Sequence, residues 1–304
     1  MSPPALPRPS RLLGIALRIG ATISFGIMAA LIKLGHEAGI ALVELAFYRF
    51  VFGLPPLLVW IAITRSFGAW RTDRPGAHVA RGMLGFVAMT LAFGALAYLP
   101  LAESSTIGFA APLFSVMLSA LILGETVGRY RWTAVALGFA GVVIVMQPSG
   151  ADLPLAGVAM ALLSTLGVAG VTIAIRQMSS TESTPTIVLW FTGFSIVASG
   201  LLMPFFATGH PTAEWLLLIG LGVAGGIGQL FLTSSLRFAP VSVVVPFDYA
   251  QLLWAVLLGW LIWDTHPPGT TWLGAAIIIG SGLFTVYREH RLGRDRPHRP
   301  PLSP

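Results

Sequence analysis

Ten apolar runs follow one another through the chain, separated by short gaps that are polar, charged or Gly/Pro-bearing. They are Leu12–Leu34, Leu42–Ile63, Val79–Leu99, Ser104–Leu123, Trp132–Met146, Leu155–Ile175, Ile187–Phe206, Trp215–Leu236, Val241–Trp263 and Trp272–Tyr287. A helix crosses the roughly 30 Å hydrocarbon core of a bilayer with about 20 apolar residues. The pattern therefore predicts an all-α membrane protein with ten transmembrane helices. A soluble fold cannot solvate so much apolar surface, and a membrane β-barrel would show alternating strands of about ten residues, which the runs lack. Only 10% of the residues are charged and 55% are hydrophobic, against about 25% charged in soluble domains. The 34 glycines and 22 prolines are tolerable in membrane helices, whose neighbours re-satisfy freed backbone groups. The first run is too long for a signal-peptide core and more runs follow it, so it is expected to be a span.

The formal net charge of +6 is distributed in a way that excludes nucleic-acid binding and points to topology. With the N-terminus in the cytoplasm and the side alternating at each span, 16 of the 18 Lys and Arg residues fall at the inner face. These are Arg8, Arg11 and Arg18, then Arg65, Arg71, Arg74 and Arg81, then Arg129, Arg131, Arg176 and Arg237, with five more in the tail from Arg288. The outer gaps contain none, and only Lys33 and Arg49 remain, both within apolar runs. This is the positive-inside distribution, and it places both termini in the cytoplasm of a bacterial-type inner-membrane protein. The Arg/Pro-rich tail 288–304 reads as a topology anchor near anionic lipid.

The chain also aligns with itself at an offset of about 140 residues. Pro100 falls on Pro240, Leu113 on Leu253, Val116 on Val256, Leu121 on Leu261 and Trp132 on Trp272. With a one-residue slip, Glu125 falls on Asp264. Five spans per copy is an odd number, so the second copy enters the membrane inverted. Inverted repeats are a hallmark of secondary transporters; a duplicated structural bundle without transport is the alternative. The expected organisation is a cytoplasmic segment 1–11, a first repeat 12–148, a second repeat 149–287 and the tail.

Several short motifs follow one another along the chain. They are Phe47-Tyr48-Arg49-Phe50, Arg74-Pro75-Gly76 leading to Arg81-Gly82, Tyr98-Leu99-Pro100-Leu101-Ala102-Glu103, Ala111-Pro112-Leu113-Phe114 and Leu123-Gly124-Glu125. The second half carries Ala239-Pro240-Val241-Ser242 and Val245-Pro246-Phe247-Asp248-Tyr249. Over about residues 14–146 and 155–286 the chain resembles the EamA-domain branch of the drug/metabolite transporter superfamily, with a second-span pattern similar to S-adenosylmethionine-uptake-type and riboflavin-type members. The resemblance implies two inverted five-helix units around a central cavity that passes amino acids, nucleobase-type compounds, vitamins, methylated cofactors or drugs. The chain departs from that pattern where Trp263-Asp264-Thr265 replaces the usual Gly-Glu.

A charge in hydrocarbon costs at least about 2.5–3.5 kcal/mol on insertion scales, so each one needs a reason. Arg49 lies about 10 Å below the outer surface, counting from Leu42 at the helical rise. It either captures a substrate carboxylate or phosphate or locks helices by pairing with Glu44 or Glu103. Asp248 lies at a similar depth from the inner end of the ninth run, with Gln251 on its face and Tyr249 and Trp254 nearby. This set suits a substrate ammonium or proton exchange; a neutral carboxyl bonded to backbone freed near Pro246 is the alternative. Within the resembled family the position of Asp248 varies, which implies substrate tuning. Glu103 is expected to bind substrate or to cap the fourth helix in solvent, and Glu125 and Asp264 to mark span ends. Lys33 is expected to snorkel or to pair with Glu37, and Gln229 to touch substrate or bridge helices. Pro112 and Pro246 interrupt equivalent spans, the sequence pointer to a midplane site. The glycines of the eighth run, Gly220 to Gly228, are expected to allow close helix packing.

No histidine pair has metal-ligand spacing, no nucleophile elbow is present and no cysteine exists. No cofactor or metal is expected. The expected function is proton- or exchange-coupled transport of a small organic metabolite, with membrane lipid and a proton or counter-substrate as further partners. An intramembrane enzyme and a passive channel are the alternatives. Within transport, efflux of drugs or amino acids stands against uptake of a cofactor or vitamin.

Overall fold

The computed structural model describes residues 11–122, 129–146, 153–178, 181–238 and 245–294. Glu125, Pro240 and the start of the ninth run fall outside them, as does the tail beyond 294. Among the described residues there is no strand. Each apolar run carries one helix or a broken pair. The first half comprises α1 (Arg11–Glu37), α2 (Leu42–Val51), α3 (Leu54–Ile63), α4 (Pro75–Tyr98), α5 (Leu101–Gly108), α6 (Ala111–Ile122) and α7 (Arg129–Met146). The second half comprises α8 (Leu155–Met178), α9 (Thr184–Gly200), α10 (Met203–Phe206), α11 (Thr212–Phe238), a 3-10 turn at Val245–Tyr249, α12 (Ala250–Trp263) and α13 (Gly269–Arg294). Five of the spans, in α1, α2–α3, α4, α8 and α11, are long and apolar enough to cross a membrane, and the other apolar helices are shorter.

The breaks have local causes. The second run reads as one helix in sequence but divides at Phe52–Gly53. Pro55 and Pro56 follow in the first turn of α3, where the missing N–H groups cost nothing because those donors lack intrahelical acceptors. The fourth run divides at Phe109–Ala110, where the Phe109 and Ala110 amides reach back three residues to Thr106 and Ile107, and Pro112 stands at the second position of α6. Pro246 lies in the 3-10 turn that precedes α12.

The halves interleave. The most extensive pairings are α1 with α11, α4 with α8 and α7 with α13. Exchanging the halves run for run turns the first pairing into the second and the third into itself. The contact of α2 with α11 corresponds in the same way to that of α4 with α9. One core, with Ile32, Leu45, Phe93, Leu218 and Leu221, fills the space among α1, α2, α4 and α11. A second, with Phe109, Leu113, Leu252 and Ile278, fills the space among the α5–α6 break, α12 and α13. Large apolar side chains also face outwards, for example Ile63 at 76% exposure and Leu163 at 54%. Lipid solvates such a surface and water does not.

Alpha-11 is set close by its glycines. A Cβ on Gly226 would lie 2.8 Å from the Gly53 carbonyl oxygen, and one on Gly225 would lie 2.9 Å from Met28 Sδ. The small residues let α11 wedge between α1 and the α2–α3 break, as small faces do in membrane bundles.

Candidate functional site

Arg49 ends the last turn of α2, where its side chain turns into the seam against α11. It is 9% exposed, and its guanidinium carbon lies 4.4 Å from the centre of the Phe50 ring. Arg81 of α4, 5% exposed, stacks at 3.9 Å on Phe191 of α9. Phe50 and Phe191 meet edge to face at 5.2 Å. Arg49 Nε and Arg81 Nε and Nη1 are buried without a hydrogen-bond partner. A narrow cavity of about 20 Å³ opens beside Arg49, lined also by Gly53, Thr192, Gly225 and Gln229.

Of the two alternatives for Arg49, the helix lock with Glu44 or Glu103 is not formed. Glu44 is buried and accepts hydrogen bonds from the Thr208 amide at 3.0 Å and the Thr208 hydroxyl at 3.3 Å, and it lies 2.9 Å from His210 Nε2. Glu103 accepts from the Thr271 hydroxyl at 3.1 Å. It is 4% exposed, so it is not the solvated cap expected from its place at a run end. It faces a separate cavity of about 190 Å³ with Pro100, Gly259, His266 and Thr271.

Asp248 is not free, and among the described residues its carboxylate bonds to a side chain and not to backbone. Arg18 Nε donates to Oδ1 and Arg18 Nη2 to Oδ2, a bidentate fork from α1 to the 3-10 turn. Nearby, Trp254 Nε1 donates to Thr22 Oγ1 at 3.2 Å, so a second bond ties α12 to α1. The Tyr249 ring meets Phe109 edge to face at 5.1 Å, joining the breaks of the fourth and ninth runs, and its buried hydroxyl has no hydrogen-bond partner. Gln251 is half-buried and makes no side-chain hydrogen bond among the described residues. The residues singled out in the sequence thus fall into separate places. Arg49 and Gln229 share one cavity; Asp248, Tyr249 and Trp254 surround the α1–α12 contact; Glu103 and Glu44 belong to two others.

His210 lies between Glu44 and Glu214, with Nδ1 2.8 Å from Glu214 Oε2. Burial alone would lower the imidazole pKa, but hydrogen bonds and charge from Glu214 and Glu44 outweigh it and hold the value above the ordinary one. Lys33 pairs as expected, with Nζ 3.7 Å from Glu37, and it also donates to the Leu96 and Leu99 carbonyls at 3.3 Å. Among the described residues no group of three or more His, Cys, Asp or Glu side chains could hold a metal ion.

Arg18, Arg81 and His210 were not singled out by sequence reasoning. Arg18 stands well inside the first apolar run and Arg81 just inside the third. Assigning both to the inner face for topology concealed that each needs a buried partner of its own. For His210 the signal was Glu214 four residues on, while Glu44, from a distant element, gave none.

The EamA-like transporter family model matches the chain twice, over residues 12–147 and 155–287. The riboflavin transporter of Vibrio cholerae serotype O1 is 33% identical over 90% of this chain and 88% of its own length. The pseudopaline exporter CntI of Pseudomonas aeruginosa is 28% identical over 88% and 93%. The S-adenosylmethionine uptake transporter of Rickettsia prowazekii is 28% identical over 82% and 84%. A solved crystal structure shares the fold with a TM-score of 0.61, at 20% identity, over 90% of this chain and 98% of its own.

Proposed function

Because the chain belongs to the EamA-like transporter family, we propose that it is a secondary active transporter that carries a small organic metabolite across the bacterial inner membrane by alternating access. Membership makes it a multi-pass membrane transporter and not an enzyme. The range of relatives, from a riboflavin transporter to a pseudopaline exporter and an S-adenosylmethionine uptake transporter, supports a small organic solute and leaves both directions open.

The observation that carries the mechanism is the exchange symmetry of the helix pairings. Two halves that pair as α1 with α11 and as α8 with α4 can trade roles, which is what inward-open and outward-open states require of inverted repeats. The ten-span arrangement with both termini inside has further support in the gap-to-gap contacts. Residues in or bordering the first, third and ninth gaps meet one another: Lys33 with Leu99 and Trp263 with Glu37 at run ends, and Thr271 with Glu103 from gap to gap. Residues of the second and sixth gaps meet likewise: Thr72 with Glu182 and Arg74 with Thr181. These side-chain bonds join gaps of the same parity, as alternation across a bilayer demands.

In this reading the cavity beside Arg49 and Gln229 opens towards the cytoplasm, and the one beside Glu103 opens outwards. The Arg18–Asp248 fork lies between the halves. It joins α1 to the 3-10 turn that precedes α12 and opens when the halves rock, which makes Asp248 the coupling carboxylate. Proteoliposomes preloaded with candidate metabolites test the function. Saturable counterflow that responds to a pH gradient is expected; single-channel current or a hydrolysed product would contradict it.

A further inference from the structure

Among the described residues, other cations inside the bundle have partners: Arg18 is forked onto Asp248, and the part-buried Lys33 has two carbonyls and Glu37. Arg49 and Arg81 are the exceptions. Among the described residues neither has a carboxylate or carbonyl partner, three of their nitrogens are buried and unsatisfied, and the two charges repel each other. Stacking on Phe50 and Phe191 offsets only part of the cost of desolvating a guanidinium. Two like charges on adjoining aromatic rings lack an anion: Arg49 lines a cavity with an amide and a hydroxyl on its wall, and Arg81 stacks on Phe191 of the same wall.

We propose that Arg49 and Arg81 together bind an oxyanion, the carboxylate or phosphate group of the transported solute. Gln229 and Thr192 supply neutral donors at the same cavity, and the Phe50–Phe191 pair forms an apolar wall for the adjoining part of the solute. Guanidinium forks match both anions geometrically. The cavity of about 20 Å³ has room for about one water molecule, so both the charged group and the body of the solute enter as α11 and the α2–α3 break part. That the anion belongs to a transported solute rests on the transporter reading; the anion site does not.

The test uses the full-length protein in nanodiscs of zwitterionic lipid, titrated with benzoate, phenyl phosphate or inorganic phosphate and, as the uncharged control, benzamide. Ligand binding to the folded state raises the unfolding temperature in a saturable way. Benzoate and at least one phosphate are expected to do so at constant ionic strength, and benzamide is not. Arg49→Gln and Arg81→Gln are each expected to weaken that binding by about ten-fold or more, and to unfold no earlier than wild type without anion, since each removes an unpaired buried charge. No anion-specific stabilisation of wild type overturns the proposal whether or not the variants fold. If anionic phosphatidylglycerol in the nanodisc abolishes the benzoate response by occupying the site, the ligand is a lipid headgroup and the solute assignment is overturned. Counterflow of a neutral solute without anion stabilisation would leave transport standing and refute the site. Anion binding without translocation would do the reverse.

Discussion

Asp248 is held on both carboxylate oxygens by Arg18, a residue 230 positions away in the chain. Replacing it with Asn removes one charge of a buried pair and strands the other. Asp248→Asn is expected to destabilise the protein by about 1–3 kcal/mol and to abolish counterflow. The double variant Arg18→Gln, Asp248→Asn is expected to recover thermal stability without recovering transport; full counterflow in the double variant would remove the coupling role. His210 gives a signed pH dependence. Its pKa is raised in the folded state, so its contribution is complete below the ordinary imidazole range and is lost as the pH rises through the raised value. The charged groups facing it are Glu44 from α2 and Glu214 from α11. The difference in unfolding temperature between wild type and His210→Gln should therefore shrink from about pH 5.5 to about pH 8.5, and a growing difference would reverse the assignment. At this scale the sequence revealed which residues are costly, since Arg49 and Asp248 stand out in apolar runs. It did not reveal their partners. Arg18 meets Asp248, and Glu44 meets His210, only after helices from both halves interleave.

The packing of α11 makes a prediction of its own. Gly226 faces the backbone of the α2–α3 break, with a Cβ there meeting the Gly53 oxygen at 2.8 Å, so backbone and not a flexible side chain would have to move. Gly226→Ala is expected to lower stability by about 1–3 kcal/mol in thermal unfolding. Gly193→Ala, with open space around its Cβ, should raise stability by up to about 1 kcal/mol. Equal effects at the two positions would mean that the close approach is not what matters. Run lengths and the glycine pattern made the helices and this packing face legible, because both depend on local composition. The break at Phe52–Gly53 was hidden because hydropathy continues unbroken across it. The signal was Gly53 followed by Pro55-Pro56, a helix end and start within one apolar run.

For the whole molecule, the positive-inside distribution and the weak self-similarity anticipated two halves. The pairings of α1 with α11 and of α4 with α8 supply what no pattern in one dimension could, namely which helix of one half lies against which helix of the other. The two cavities are then expected to alternate: that of Thr192 beside Arg49, and that of Ala255 beside Glu103. The chain contains no cysteine, so single thiols can be placed on an unmodified background. The most direct test measures labelling of Thr192→Cys from the cytoplasmic side and of Ala255→Cys from the outside by a membrane-impermeant maleimide, with and without a solute that undergoes counterflow. The account predicts that solute changes the two rates in opposite directions. Rates that rise or fall together, or an Ala255→Cys labelled only from the cytoplasm, would contradict it.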